Sequence, residues 1–130
     1  MSELLGDVEF LGYLSGESLH SLICGARAVV LPSEWYENAP MSILESYAFG
    51  KPVIGASIGG IPEMICDGMT GWTFESGNVD ELASILSYVS SLDAKSLEFM
   101  GRCVRDYVES RFNAEMYRNS VVELYSDLRC

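Results

Sequence analysis

Ala28-Val29-Val30-Leu31-Pro32 and Pro52-Val53-Ile54-Gly55-Ala56 frame the stretch that decides the fold of this chain. Between them runs Ser33-Glu34-Trp35-Tyr36-Glu37-Asn38-Ala39-Pro40-Met41-Ser42-Ile43-Leu44-Glu45-Ser46-Tyr47-Ala48-Phe49-Gly50-Lys51. Each flank is a short, continuous apolar run beside a proline, the pattern of a strand buried on both faces of a parallel sheet. The middle opens as polar and aromatic loop. It turns helical near Pro40, because proline is tolerated at a first helical position. Ile43, Leu44, Tyr47 and Ala48 then give an apolar face at helical spacing. Gly50 ends the helix, Lys51 complements its negative end, and Pro52 bars continuation. Strand, helix and strand in this order make a β-α-β unit with parallel strands.

The alternation extends both ways. Val8-Glu9-Phe10-Leu11-Gly12-Tyr13 reads as a short strand ending in a glycine turn. Residues 15–25 predict a helix, with Leu19, Leu22 and Ile23 in helical spacing and Gly25 as its C-cap glycine. Downstream, Gly59-Gly60 turns into a short helix over residues 61–65. Asp67-Gly68 makes another turn, and Gly71-Trp72-Thr73-Phe74 predicts a last strand. The remainder is helical. Asn78, with Glu81 three residues on, forms a capping box ahead of a stripe of Val79, Leu82, Leu86 and Val89. A helix after Asp93 turns Leu97, Met100, Val104 and Val108 inward. Another after Asn113 aligns Tyr117, Val121, Leu124 and Leu128, as an amphipathic helix packed on its own core does. The expected fold is α/β, a partial Rossmann-like parallel sheet of about four strands with flanking helices. Residues 1–130 form a single partial domain in this reading.

Bulk properties narrow the function. The apolar content of 48% and aromatic content of 11% exclude a disordered chain. The net charge of -11 excludes a nucleic-acid binder, which carries a basic stripe, and an anionic membrane surface as partner. Cys24, Cys66, Cys103 and Cys130 form no C-x-x-C pair and fit no zinc template, so free thiols in a reducing compartment are expected. Residues 1–15 lack a basic start and a long apolar run, and no stretch has transmembrane length. The expected location is cytoplasmic, with membrane association left to parts outside this sequence.

In open parallel sheets, ligands bind beyond the carboxyl ends of the strands. That places three loops under scrutiny: residues 12–15, 33–40 and 57–62. The middle one runs straight into a helix N-terminus, where unpaired N–H groups and the helix dipole make an anion site. Met41 and Ser42 supply those N–H groups; Pro40 has none. Glu37 lies just before the helix and Glu45 about one turn inside it. Carboxylates there accept hydrogen bonds from sugar hydroxyls, each charge-assisted bond being worth about 1.5–3 kcal/mol. The chemistry is that of a phosphate flanked by polyhydroxy groups. Spacing alone serves equally well for acids that only complement the dipole. Trp35 and Tyr36 either rim such a site or close a core. Glu63 reads as a dipole-complementing acid, and His20 has no evident catalytic partner.

The stretch from Glu37-Asn38-Ala39-Pro40-Met41-Ser42-Ile43-Leu44-Glu45 to Val53-Ile54 resembles the E-x7-E region of family-four (group 1) glycosyltransferases. These are retaining enzymes of the two-domain GT-B fold. Phe10-Leu11-Gly12-Tyr13, Val30-Leu31-Pro32-Ser33, Gly59-Gly60-Ile61-Pro62-Glu63 and Gly68-Met69-Thr70-Gly71-Trp72 are similar to the same family, in the same order. The resemblance implies a nucleotide-diphospho-sugar donor, with no metal and no further cofactor. It implies that Glu37 is catalytic and contacts the donor sugar, and that Glu45 binds the ribose hydroxyls. Backbone groups of Asn38, Ala39, Pro40, Met41 and Ser42 would hold the sugar and diphosphate, with Gly12 and Tyr13 near the base. The family usually carries glycines after the first glutamate; here stand Asn38, Ala39 and Pro40, and Pro40 lacks one expected amide.

The resemblance also implies parts that this sequence does not show. One is an N-terminal acceptor domain. Another is an arginine and lysine near the diphosphate, whereas no lysine or arginine here precedes Arg27. It implies the strand order 3-2-1-4-5-6, of which this chain starts at the third strand. The run at Val29 would then expose an apolar edge, closed either by the strand at Val8 or by a homodimer. The isolated chain is expected to transfer no sugar. The alternative of a different class is a non-catalytic, truncated module that binds or oligomerises through its acidic surface or bare edge.

Overall fold

Val53–Ala56 is buried along its whole length and forms the middle strand, β2, of a three-stranded parallel sheet. The computed structural model describes residues 7–127. Within it the order is α1 (Gly16–Gly25), β1 (Val29–Leu31), α2 (Met41–Ala48), β2, α3 (Ile61–Met64), β3 (Gly71–Phe74), α4 (Val79–Ser91), α5 (Ala94–Arg111) and α6 (Ala114–Asp127). The sheet order is β1-β2-β3, with Val30 opposite Ile54 and Ile54 opposite Trp72. The α/β fold with a parallel sheet is therefore present.

The pleat of β2 explains its unbroken hydrophobicity. Successive side chains point to opposite faces, and here both faces are covered. Val53 packs with Ile43 and Tyr47 of α2, Ile61 and Met64 of α3, and Val104 and Val108 of α5. Ile54 and Ala56 pack the other way with Trp72, Phe74 and Val89 of α4. Three layers result, with α2, α3 and α5 on one face of the sheet and α4 on the other. Burying each such aliphatic or aromatic side chain contributes about 1.5–3 kcal/mol.

The helices start where polar caps stand. Asn78 Oδ1 accepts from the Glu81 N–H at 3.0 Å, Asp93 Oδ1 from Ser96 at 2.9 Å, and Asn113 Oδ1 from Met116 at 2.9 Å. The return arm of the capping box is displaced, since the Glu81 carboxylate accepts from the Glu75 N–H at 2.7 Å rather than from Asn78. At the far end of α2, the Lys51 N–H donates to the Ser46 carbonyl and the Gly50 N–H to that of Tyr47, both at 2.9 Å. That closure needs the positive φ of 69° that Gly50 adopts. A side chain on Gly101 of α5 would meet the Gly50 carbonyl oxygen at 2.7 Å, so two glycines let α2 and α5 meet.

Four expectations are corrected. Residues 8–13 form no strand. The alternation is present, but strand backbone needs a partner ladder, and Val8, Phe10, Leu11 and Tyr13 lie exposed. The described sheet thus has three strands, and β1 gains no partner from that segment. Gly25 is the last helical residue of α1 rather than its positive-φ cap. The inward stripe of α4 is Leu82, Ile85, Val89 and then Leu92, while Val79 is 76% exposed and Leu86 is exposed as well. Finally, α6 buries no residue: Tyr117 and Leu124 are exposed and Val121 is half-buried. Leu128 of that stripe lies outside the described residues, as does Cys130. Cys24, Cys66 and Cys103 carry free thiols. No described helix is long and apolar enough to cross a membrane.

Candidate functional site

Because the three strands run parallel, their carboxyl ends share one edge of the sheet. The segments that follow them are cross-linked there. Ser76 Oγ, after β3, donates to the Ser33 carbonyl, after β1, at 2.9 Å. The Ser57 N–H, after β2, donates to the Phe74 carbonyl at 2.7 Å. The Gly60 N–H donates to the Glu37 carbonyl at 2.7 Å. This last approach leaves no room for side chains. A Cβ on Gly59 would stand 2.3 Å from the Glu37 carbonyl oxygen, and one on Gly60 would stand 1.8 Å from that of Asn38.

Glu37 is half-buried, and its Oε1 accepts from Ser33 Oγ at 2.5 Å. A bond this short to a carboxylate is strong and directional. The loop root thereby aims the Glu37 side chain. Beside it opens a cleft of about 410 Å3, lined by Tyr36, Glu37, Asn38, Gly59, Gly60 and Glu63. Trp35 and Tyr36 are 82% and 88% exposed, so neither closes a core; Tyr36 is a wall of the cleft.

The next residues start α2. Pro40, with φ -66° and ψ 119°, is the N-cap, so the helix starts one position later than the sequence predicts. Its carbonyl accepts from the Ile43 N–H at 3.1 Å. The N–H groups of Met41 and Ser42 precede any intrahelical acceptor and find none elsewhere among the described residues. Both residues are exposed. Ile43, Ser46 and Tyr47 are the buried side of α2. Glu45, exposed and one turn beyond Met41, therefore shares the outward side of α2 with the Met41 side chain.

What holds α2 in place is a buried hydroxyl network. The Tyr47 hydroxyl donates to the Met64 carbonyl at 3.0 Å and is hydrogen-bonded to Thr70 Oγ1 at 2.9 Å. Thr70 Oγ1 also accepts from the Cys66 N–H at 2.8 Å. Burial pushes the Tyr47 phenol up to about 12. The network ties α2 to the turn that precedes β3.

The structure thus gathers Glu37 and Asn38 in one cleft and Met41, Ser42 and Glu45 on one exposed helix side. Gly12 and Tyr13 do not line that cleft, and Tyr13 is exposed. His20 packs against Phe49 with ring centroids 5.0 Å apart and planes tilted by 41°, a contact at the end of α2. Among the described residues, no group of three or more His, Cys, Asp or Glu is placed to hold a metal ion. Sequence reasoning missed Ser33 as the partner of Glu37 and the place of Glu63 in the cleft. Neither has a periodic signature, although Gly59-Gly60 immediately before Ile61-Pro62-Glu63 marks a close backbone approach.

Residues 2–103 match the family described as Glycosyl transferases group 1, and the chain belongs to that family. It is 30% identical over 122 residues to glycogen synthase of Mycobacterium tuberculosis, covering 94% of this chain and 29% of that protein. It is 27% identical over 126 residues to the putative colanic acid biosynthesis glycosyltransferase WcaL of Escherichia coli, covering 93% and 31%. Among solved structures, HepE of Anabaena in complex with UDP superposes with a TM-score of 0.82 at 25% identity, over 97% of this chain and 34% of that one. HepE has also been solved with UDP-glucose. The structural neighbours are GT-B glycosyltransferases. The chain spans about a third of the length of the curated relatives it matches.

Proposed function

We propose that this chain is the donor-binding part of a retaining, family-four glycosyltransferase that uses a nucleotide-diphospho-sugar, with UDP as the nucleotide. The observation that carries the reading is the pair of free N–H groups on Met41 and Ser42, next to the cleft of Glu37 at the carboxyl edge of the sheet. Fold similarity to HepE, which has been solved with UDP and UDP-glucose, supports the choice of base.

In this reading the diphosphate sits on the start of α2. As the anomeric C–O bond breaks, negative charge grows on the leaving diphosphate and positive charge on the sugar ring. Fixed amides and the helix dipole stabilise the first without reorganising. The Glu37 carboxylate, aimed by Ser33, faces the second. Glu45 accepts from the ribose hydroxyls, and Asn38 and Ala39 hold the sugar. The acceptor is bound by a further domain, and the chain alone transfers no sugar. A cytoplasmic location, with any membrane attachment supplied by other parts of the enzyme, belongs to the same proposal.

Titration of the chain with UDP, followed by amide chemical shifts, tests it. Saturable binding tighter than millimolar, with the Met41 and Ser42 resonances moving most, is expected. Absence of such binding, or movement confined to another surface, overturns it. Binding of ADP or GDP in place of UDP overturns the base alone.

A further inference from the structure

The cleft beside Glu37 has a second acidic wall whose presence the helix dipole does not explain. Glu63 belongs to α3, which has four residues and an N-cap, Gly60, that makes no side-chain cap. One helical turn sums few peptide dipoles, so an acid there gains little from complementing them. The residue lines the cleft instead, together with Tyr36, Glu37 and Asn38. The 2.7 Å bond from Gly60 to the Glu37 carbonyl fixes the two walls relative to each other. Among the described residues, no lysine or arginine lines the cleft.

The lining therefore combines two carboxylates, an amide and the exposed ring of Tyr36. Hydroxyl groups find acceptors there, and a rigid aromatic ring offers an apolar face at small entropic cost. A negative charge finds the reverse. It would lose water next to two carboxylates with no cation to compensate, which is discrimination by repulsion. A sugar held by Glu37 lies within reach of Glu63 because both residues line the same small cleft.

Resting on the donor-binding reading above, we propose that Glu63 is a specificity-determining residue. It restricts the transferred sugar to an uncharged hexose and rejects a hexuronate.

The test compares UDP, UDP-glucose and UDP-glucuronate as ligands of the chain and of its Glu63→Gln variant by calorimetric titration. The wild type should bind UDP-glucose at least about tenfold more tightly than UDP-glucuronate. In Glu63→Gln the gap should close to about threefold or less, with UDP affinity unchanged. Glu63→Asp keeps the charge and should keep the preference, which separates charge from mere disturbance of α3. Equal binding of the two sugar nucleotides by the wild type, or a preference that survives in Glu63→Gln, overturns this inference and leaves the donor-binding reading standing. Failure of the wild type to bind UDP at all overturns both.

Discussion

The backbone N–H of Gly60 donates to the carbonyl oxygen of Glu37 at 2.7 Å, joining the loop after β2 to the loop after β1. The position of the Glu37 side chain thus depends on a residue that carries no side chain of its own. Ser33 fixes the carboxylate from one direction at 2.5 Å, and Gly60 fixes the backbone beneath it from the other.

Gly60→Ala should disturb both stability and the cleft. The new methyl would stand 1.8 Å from the Asn38 carbonyl oxygen, which is backbone and cannot swing aside. Overpacking of this kind costs about 1–3 kcal/mol. Urea denaturation should show that loss, and UDP-glucose affinity should fall more than UDP affinity because the cleft, not α2, is displaced. An unchanged urea midpoint would refute the close approach.

Met41→Pro isolates one anion contact. Position 41 is the first helical residue, where proline fits. The preceding Pro40 already has the extended ψ of 119° that a following proline prefers. The helix should persist while one free N–H disappears. A hydrogen bond to a charged group contributes about 1.5–3 kcal/mol, so UDP affinity should drop by about tenfold or more. The check is a titration beside an unchanged thermal melt; undiminished UDP affinity would remove Met41 from the diphosphate site.

Much of this arrangement was legible because it rests on local rules. The apolar runs at Val29 and Val53, the helix between Pro40 and Gly50, and the caps at Asn78, Asp93 and Asn113 need only burial, periodicity and polar chemistry. Val8–Tyr13 failed because alternation describes a strand's faces but cannot supply a neighbour to pair with. The stripe of α4 was misread by rotation, since the sheet face, invisible in one helix, selects Ile85 over Leu86. The face of α6 is apolar in sequence, yet nothing in the described chain buries it. In the site, the free amides at Met41 and Ser42 follow from helix geometry. The Ser33–Glu37 bond does not, because irregular loop has no period to read.

Glu45 and Glu37 should separate nucleotide from sugar recognition. Glu45 is exposed on α2, so Glu45→Ala should leave stability within about 0.5 kcal/mol. Loss of ribose hydrogen bonds should nonetheless weaken UDP and UDP-glucose alike by about tenfold or more. Glu37→Gln should spare UDP and weaken UDP-glucose, since in the proposed site only the sugar meets that carboxylate. Parallel titrations of the two variants decide the matter, and the assignment fails if Glu37→Gln weakens UDP as much as UDP-glucose.

Tyr47 gives the fold a pH signature. Its phenol is fully buried and pushed from 10.0 to about 12 by that burial. Below pH 10 the phenol is neutral in both folded and unfolded chains, and its hydrogen bonds contribute in full. Between about 10 and 12 the unfolded chain loses the proton first, so stability falls as pH rises. A separation of that size amounts to about 2–3 kcal/mol. Tyr47→Phe removes the titrating group and leaves the Met64 carbonyl and Thr70 hydroxyl short of a partner, a loss of about 1–3 kcal/mol near neutrality. Denaturation of the two proteins at rising pH should therefore show the wild type's advantage shrinking above pH 10. An advantage that stays constant to pH 12 would mean that the phenol ionises alike in the folded and unfolded chains.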